Sequence, residues 1–397
     1  MDGVEQGVAE LPGLTRPEIR PASRSDSRFP PLDGLRAIAA AVVVLSHTAY
    51  LAELHAHGFE RRELASAFGI WSFGSRGVEL FFVLSGFLLF RPYARQLLGG
   101  PPGPSANTFY TRRARRVLPA YWVALTISVL FISPLIGTHV TAGDVVLHVF
   151  VVHNAVSGDL GSLSGVFWTM AVEVQFYVLL PIIAAGLIAV GRRSRRMAVG
   201  LLVAATLVVS PASIFASSTI SSAYPGARSQ LGLLIVLTYF APFAAGMTAA
   251  TVDVWARLAS ARQPERIIRV IAVGGLALLC VRIAANMSLS FLPGDQYLLY
   301  VELGLGFAGV LLGVLHIWLG ASRVLSTRPL HYFALISYSV YLWHWPIYWY
   351  LIVPVARRLP IGMVPAEILG FPVLIALATL SYRVTERPFF HAAAARS

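Results

Sequence analysis

The chain has 397 residues, of which 56% are hydrophobic and only 13% are charged. Soluble domains carry about 25% charged residues, whereas the mean hydropathy here is +0.69. A soluble core of this size cannot bury so much apolar surface, so the composition excludes a soluble protein and indicates an integral membrane protein.

The net charge of +12 comes from 31 basic residues, all of them arginine, against 19 acidic residues. In a soluble protein this balance would suggest a nucleic-acid partner. In a membrane protein, however, arginine is retained in the cytoplasmic loops, where it orients the spans. We therefore predict contact with membrane lipid and no nucleic-acid partner.

The cysteine content and the first thirty residues show which covalent links, metal sites and targeting segments the sequence can contain. Cys280 is the only cysteine, which excludes an intramolecular disulfide, and no Cys/His group has the spacing of metal ligands. We therefore predict no metal site. Residues 1–30 carry arginines among Pro, Ser and Glu without an apolar segment of the signal-peptide type, which predicts a disordered cytoplasmic tail.

In chain order, stretches of about twenty predominantly apolar residues predict an all-α polytopic membrane protein, a bundle of about ten transmembrane helices. The predicted spans are residues 32–54, 70–90, 117–137, 165–190, 198–217, 230–250, 267–286, 297–320, 331–351 and 363–383. Together they form a transmembrane domain over residues 31–388, followed by a short C-terminal tail over residues 389–397.

One apolar stretch, residues 140–153, is too short for a further span and contains Asp144, His148 and His153. Polar groups and short length favour an interfacial or re-entrant segment. We therefore exclude it from the predicted spans.

The distribution of arginine predicts the orientation. With the amino terminus inside, most arginines fall in cytoplasmic loops, which predicts that both termini are cytoplasmic.

The arginine-only, alanine-rich composition is typical of a high-GC bacterium, so we expect the protein to lie in the bacterial cytoplasmic membrane. No inverted internal repeat of the transporter type is visible.

Four ionisable residues lie inside predicted spans, where a charge costs about 2.5 to 3.5 kcal/mol and is therefore a functional candidate. A rise of 1.5 Å per residue places His47 about 22 Å and His344 about 20 Å above the cytoplasmic ends of their helices. The same count puts Glu173 about 18 Å from the inside, with Glu79 at a similar level. The four residues thus share one layer, which suits acid/base chemistry.

Arginines gather below this layer, at the predicted cytoplasmic mouth. Arg36 begins the first span, and Arg112, Arg113 and Arg116 end the loop before the third. The planar guanidinium group binds phosphate oxygens through two parallel hydrogen bonds. We therefore predict a binding site for a polyanion.

Each of these residues also has a simpler interpretation. His47 could be a packed hydrogen-bonding residue, and His344, which stands among tryptophans, could belong to an aromatic belt. Glu79 and Glu173 could pair with Arg76 or with a hydroxyl group. The arginine run could serve only to orient the protein.

Six segments, taken in order, resemble the signatures of the acyltransferase-3 superfamily of membrane-bound O-acyltransferases. They are Leu32–Arg36 with His47 eleven residues after Arg36, Gly77–Gly86, Arg113–Tyr121, Trp168–Pro181, Ser337–Pro346 and Glu386–Pro388. The resemblance covers nearly the whole predicted membrane domain. The resemblance assigns no role to the charged side chain of Arg76.

The resemblance implies acyl-CoA as a co-substrate, no tightly bound cofactor and no metal. It implies a hydroxylated acceptor, such as a glycan, a glycolipid or a macrolide. It also implies that His47 is the principal catalytic residue and that Arg36, Arg113 and Arg116 lie near the CoA. The hydrolase-like domain that is fused to some relatives is expected to be absent.

We therefore expect an integral membrane O-acyltransferase that moves an acyl group, with acetyl as the expected one, from cytoplasmic acyl-CoA to an acceptor hydroxyl. His47 would be the general base, Glu173 or Glu79 would orient it, and His344 would protonate the leaving thiolate or position the acceptor. Direct transfer and an acyl-histidine intermediate both remain open. The alternatives are a transporter or flippase, and a noncatalytic membrane partner.

Overall fold

The computed structural model of the protein describes residues 29–57, 74–136, 139–156, 163–223, 233–259, 263–287, 295–358 and 363–389. Every regular element in these ranges is helical, as the predicted all-α class requires. Of the tail that is predicted to be disordered over residues 1–30, residues 1–28 lie outside the described residues, whereas Pro30 begins the first helix. Residues 390–397 of the C-terminal tail also lie outside the described residues.

Fourteen helices are labelled in chain order. They are α1 (Pro30–His57), α2 (Gly77–Leu97), α3 (Ala106–Ile127), α4 (Ala142–Val149), α5 (His153–Val156), α6 (Phe167–Arg193), α7 (Arg195–Ala223), α8 (Leu233–Thr238), α9 (Phe240–Leu258), α10 (Gln263–Met287), α11 (Asp295–His316), α12 (Leu319–Leu325), α13 (Arg328–Ile347) and α14 (Met363–Ser381). Short helical segments extend α3, α13 and α14; they are Ser128–Ile132, Ser133–Ile136, Tyr348–Ile352, Val353–Arg358 and Tyr382–Glu386.

Within the described residues, eight helices are long and apolar enough to cross a membrane, namely α1, α2, α3, α6, α7, α10, α11 and α14. Helices α9 and α13 coincide with two further predicted spans but are more polar, since they contain Asp253 and His344. Helices α4 and α5 have 8 and 4 residues, so the stretch over residues 140–153 is too short to cross, as predicted.

Helix α3 begins earlier than predicted, so Arg112, Arg113 and Arg116 lie on a helix and not in a loop. The side chain of Ser105 accepts a hydrogen bond from the backbone N–H of Thr108 and caps the helix. A search for apolar stretches misses these first turns because they are polar. The consequence is that the arginines have fixed helical spacing.

The predicted span over residues 230–250 is interrupted between α8 and α9. Pro242 has no N–H group for the preceding turn. The side chain of Ser210 on α7 compensates, because its hydroxyl donates to the Leu237 carbonyl at 3.2 Å and accepts from the Ala241 N–H at 2.8 Å. The break is therefore stabilised by a neighbouring helix.

Helix α2 is the most buried of the eight candidate spans and packs closely on α9. A Cβ atom on Gly86 would lie 2.1 Å from the Phe243 carbonyl oxygen, and one on Gly246 would lie 2.1 Å from the Val83 carbonyl oxygen. Only glycine permits this approach of two backbones, as at other membrane-helix crossings. The crossing fixes α2, which forms one wall of the site described below.

The start of α1 is held by a buried ion cluster. Asp253 on α9 is fully buried and accepts hydrogen bonds from the Nε atoms of Arg91 and Arg257, both at 2.8 Å, and from His316 Nε2 at 2.9 Å. The two guanidinium groups also lie over the ring of Phe29, at 4.6 and 5.6 Å from its centroid. This contact anchors the chain just before α1.

Candidate active site

Two connected cavities enter the bundle between α1, α2, α3, α6 and α13. The inner cavity has a volume of about 270 Å³, and the mouth cavity has a volume of about 520 Å³. Both are lined by Leu32, Asp33, Arg36, Leu88, Arg116 and Tyr338. The shared lining makes one continuous path from the arginine-rich end towards the centre of the bundle.

The arginines predicted to bind a polyanion largely converge on this path. Arg36 and Arg116 line both cavities, and Arg113 lines the inner cavity. Arg112 is exposed on α3 and lines neither cavity. Three guanidinium groups therefore give the lower part of the path a positive potential.

Two carboxyl groups contribute to the mouth cavity. Asp33 Oδ2 lies 2.9 Å from His331 Nδ1, and Glu386, which is buried, accepts a hydrogen bond from the Ser339 hydroxyl. Both acidic residues face the cavity beside Arg36 and Arg116. They limit the net positive charge at the mouth.

Glu173 lies halfway up the inner cavity. Its Oε1 atom accepts hydrogen bonds from the Ser85 hydroxyl at 2.9 Å and from the Tyr177 hydroxyl. Pairing with hydroxyl groups is the simpler of the two interpretations that the sequence allowed for this residue. The catalytic role predicted for Glu173 stays a prediction.

The upper end of the inner cavity is formed by Thr169 and Tyr341, whose hydroxyl oxygens are 2.7 Å apart. The Thr169 hydroxyl donates to the Val166 carbonyl oxygen at 3.0 Å, so Tyr341 is the donor of the pair. The ring centroid of Tyr341 also lies 5.5 Å from that of His344. Tyr341 thus joins the cavity to a histidine pair.

His47 and His344 meet above this point. His47 Nδ1 lies 2.9 Å from His344 Nε2, and the two rings are parallel within 2°, with centroids 5.2 Å apart. Trp345 contacts the His47 ring edge to face, with centroids 5.3 Å apart. The structure therefore brings together the two histidines that the count of helical rise placed in one layer.

Hydrogen-bond complementarity assigns the protons of this pair. His344 Nδ1 lies 2.7 Å from the Tyr341 carbonyl oxygen, which can only accept, so Nδ1 carries the proton. His344 Nε2 is then the acceptor and His47 Nδ1 the donor. In the neutral state, His47 Nε2 is left with a free lone pair, which is what a general base needs.

Glu79 lies on α2 and is 2% exposed. Its Oε1 atom is 3.4 Å from Arg76 Nη1, which gives a partner to the charge that the sequence left unassigned. The contact that orients His47 comes from His344, whereas the contacts described for Glu79 and Glu173 are with Arg76 and with hydroxyl groups. A catalytic role for Glu79 also stays a prediction.

Several lining residues were not singled out from the sequence. They are Ser85, Thr169, Tyr177, Tyr338 and Tyr341. All five stand within two turns of an ionisable residue inside the motif segments, which is the signal that could have identified them. Asp253, the centre of the buried ion cluster, could also have been identified from the sequence, because it is a carboxyl group within an apolar stretch.

Comparisons with known proteins identify the family of this chain. A family model described as an acyltransferase domain matches residues 30–383. The chain is 27% identical over 387 residues to YrhL of Bacillus subtilis, which is named as a peptidoglycan O-acetyltransferase; the match covers 91% of this chain and 54% of YrhL. It is 26% identical over 395 residues to the O-acetyltransferase OatA of Staphylococcus aureus, covering 91% of this chain and 57% of OatA.

The chain thus spans little more than half the length of these relatives. No solved structure matches it.

Proposed function

Because this chain belongs to the acyltransferase-3 family, we propose that it is a multi-pass bacterial membrane O-acetyltransferase that uses acyl-CoA as donor and a hydroxyl group of peptidoglycan as acceptor. The observation that carries the proposal is a path lined by three arginines that ends at Tyr341, whose ring and carbonyl group contact a histidine pair with one free ring nitrogen.

The lower part of the path suits a CoA thioester. Arg36, Arg113 and Arg116 would hold the phosphate groups through charge-assisted hydrogen bonds. Arg36 precedes His47 by eleven residues on α1, which corresponds to about 16 Å of helical rise. An extended pantetheine arm spans a similar distance, so the thioester would reach the level of the histidines when the phosphates are at the mouth.

The histidine pair supplies the proton transfers. His47 Nε2 would take the proton of the acceptor hydroxyl as its oxygen attacks the thioester carbonyl carbon. The C–S bond then breaks, the acetyl ester forms, and the CoA thiolate leaves and takes up a proton. His344 Nε2, as acceptor from His47 Nδ1, would stabilise the imidazolium in the way that a carboxylate does in hydrolase triads.

The acceptor assignment comes from the relatives. YrhL is named as a peptidoglycan O-acetyltransferase, and its similarity to this chain covers 91% of the chain and 54% of YrhL. We assign the arginine-rich mouth and both termini to the cytoplasmic side, in agreement with the distribution of arginine along the chain.

The test uses the purified chain in lipid nanodiscs with acetyl-CoA labelled in the acetyl group and un-cross-linked peptidoglycan glycan. We expect label on the glycan that mild alkali releases, because O-acetyl esters hydrolyse under conditions that leave N-acetyl groups intact. A transporter or a noncatalytic partner would give no labelled ester. That result would overturn the proposal.

A further inference from the structure

A second polar cluster lies beside the inner cavity, and its members line neither cavity of the donor path. Its centre is the carboxyl group of Glu79, which is 2% exposed. Oε1 lies 3.4 Å from Arg76 Nη1, whereas Oε2 has no hydrogen-bond partner among the described residues. A buried carboxylate oxygen without a partner is costly, so a site for a donated hydrogen bond is indicated.

Aromatic side chains lie near this carboxyl group, since both Tyr239 and Tyr300 are within range of its charge. The ring of Tyr239 lies 5.1 Å from that of Trp168, 4.6 Å from that of Tyr300 and 5.8 Å from that of Phe82, measured between centroids. Trp168, Tyr239 and Tyr300 are each partly exposed, as is Arg76. The cluster therefore combines open aromatic surface with one acceptor and one cation.

The members lie in or beside the first two turns of α2, α6, α9 and α11. The arginines of the donor mouth, in contrast, lie where α1 and α3 begin, and α1 runs from that mouth up to His47. The aromatic cluster thus lies further from the donor mouth than Arg36 does, at a level between Arg36 and His47 on α1.

This cluster adjoins the upper part of the inner cavity. The start of α2 packs on α1 between Arg36 and His47, since a Cβ atom on Gly77 would lie 2.6 Å from the Ala39 carbonyl oxygen. Trp168 directly precedes Thr169, which binds Tyr341. A ligand on the cluster would therefore lie close to the reacting layer.

We propose that Glu79, Arg76, Trp168, Tyr239 and Tyr300 form the acceptor subsite and that it binds a pyranose ring beside the donor cavity. The C–H faces of a pyranose pack on aromatic faces, whose electron density is negative. Its hydroxyl groups donate to Glu79 Oε2, and Arg76 donates to its acetamide or ring oxygens. This inference rests on the proposed function, because it names the place where that reaction meets its sugar.

The kinetic test compares Glu79→Gln and Trp168→Ala with Glu302→Gln in the labelled-acetyl assay. Glu302 is a matched control, since it is also an intramembrane carboxyl group paired with an arginine, Arg282, at 3.2 Å. In the two site variants we expect the KM for the glycan to rise at least about tenfold and the KM for acetyl-CoA to change less than about twofold. The reason is that Glu79→Gln weakens a hydrogen bond to the acceptor and Trp168→Ala removes a surface on which the acceptor packs. In the control variant, Glu302→Gln, both KM values should equal those of the wild type.

An equal rise in both KM values, or an unchanged KM for the glycan, would overturn the subsite. The first result would indicate a structural role for Glu79, and the second would indicate that the sugar binds elsewhere.

A binding test separates this inference from the proposed reaction. Cys280 is the only cysteine, so Ser75→Cys in a Cys280→Ser background places one reporter thiol beside Arg76. A peptidoglycan tetrasaccharide is expected to slow maleimide labelling at this position in the absence of any acetyl donor. If the tetrasaccharide protects the thiol but no acetyl transfer occurs, the proposed reaction fails and the subsite stands. If transfer occurs without protection, the subsite fails and the reaction stands.

Discussion

At the scale of single residues, His47 and His344 form a neutral hydrogen-bonded pair inside a bundle of membrane helices. An ionised carboxylate in the same place would be costly to bury. A second histidine can accept the proton of the first without carrying a charge in the resting state. The pair therefore meets the requirement for a base while limiting the cost of burial.

His344 acts through His47, so we assign it as a positioning residue. In His344→Gly we expect kcat for acetyl transfer to fall by about 10²- to 10⁴-fold, because His47 loses the acceptor for its Nδ1 proton. The KM for acetyl-CoA should be nearly unchanged, and added imidazole should restore part of the turnover. Loss of turnover that imidazole does not restore, together with a changed KM, would indicate a purely structural role.

Variants of Arg116 and of its neighbour Arg115 can distinguish a role in phosphate binding from a role in orienting the protein in the membrane. Arg116 lines both cavities, whereas Arg115 is exposed on the same helix and lines neither. Arg116→Gln is expected to raise the KM for acetyl-CoA by about tenfold or more, since a hydrogen bond to a charged phosphate contributes about 1.5 to 3 kcal/mol. Steady-state kinetics of both variants check this, and equal effects would return Arg116 to a topological role.

At the scale of elements, α2 carries groups that belong to different parts of the site. Glu79 lies near its start, and Ser85, one and a half turns later, binds Glu173 inside the cavity. Gly86 follows directly and permits the contact with α9. The position of Ser85 in the cavity wall therefore depends on the glycine crossing.

This dependence predicts the effect of adding one methyl group. Gly246→Ala would bring a Cβ atom to 2.1 Å from a backbone oxygen, so the two helices must separate. We expect a loss of about 1 to 3 kcal/mol in stability, as in other overpacked cores. Gly200→Ala is the matched control, because a Cβ atom there meets no atom within 4 Å. Thermal unfolding in detergent checks both, and equal midpoints would contradict the crossing.

The helices themselves were largely predictable from apolar stretches, because a span has a fixed minimum length. The start of α3 was not predictable in this way, since its first turns are polar and are defined by the Ser105 cap. The break before α9 was not predictable either, because Ser210, which forms hydrogen bonds with the backbone groups at the break, lies on a different helix. Both differences arise where side-chain hydrogen bonds override hydropathy.

At the scale of the whole molecule, the arginine-lined cavity opens at one end of the bundle, and the histidine pair lies further in, next to Tyr341. This arrangement predicts sided access. In membrane vesicles, externally added acetyl-CoA, which does not cross the bilayer, should be consumed only when the vesicles are inverted, because the positive-inside distribution puts the mouth in the cytoplasm. Consumption by right-side-out vesicles would contradict the orientation.

The site was predictable in part. Counting the helical rise placed His47 and His344 at one level, because α1 and α13 were predicted to run in the same direction. The hydrogen bond between them was not predictable, since it depends on which helices are neighbours and how each is rotated. The motif resemblance already set Arg113 and Arg116 apart from Arg112, and in the structure Arg112 lines neither cavity.

The central claim is that His47 Nε2 removes the proton of the acceptor, and acetyl transfer by His47→Ala tests it most directly. We expect kcat to fall by at least about 10²-fold, while binding of acetyl-CoA and the unfolding temperature stay close to those of the wild type. Transfer to glycan at an undiminished rate by a folded His47→Ala protein would contradict the account.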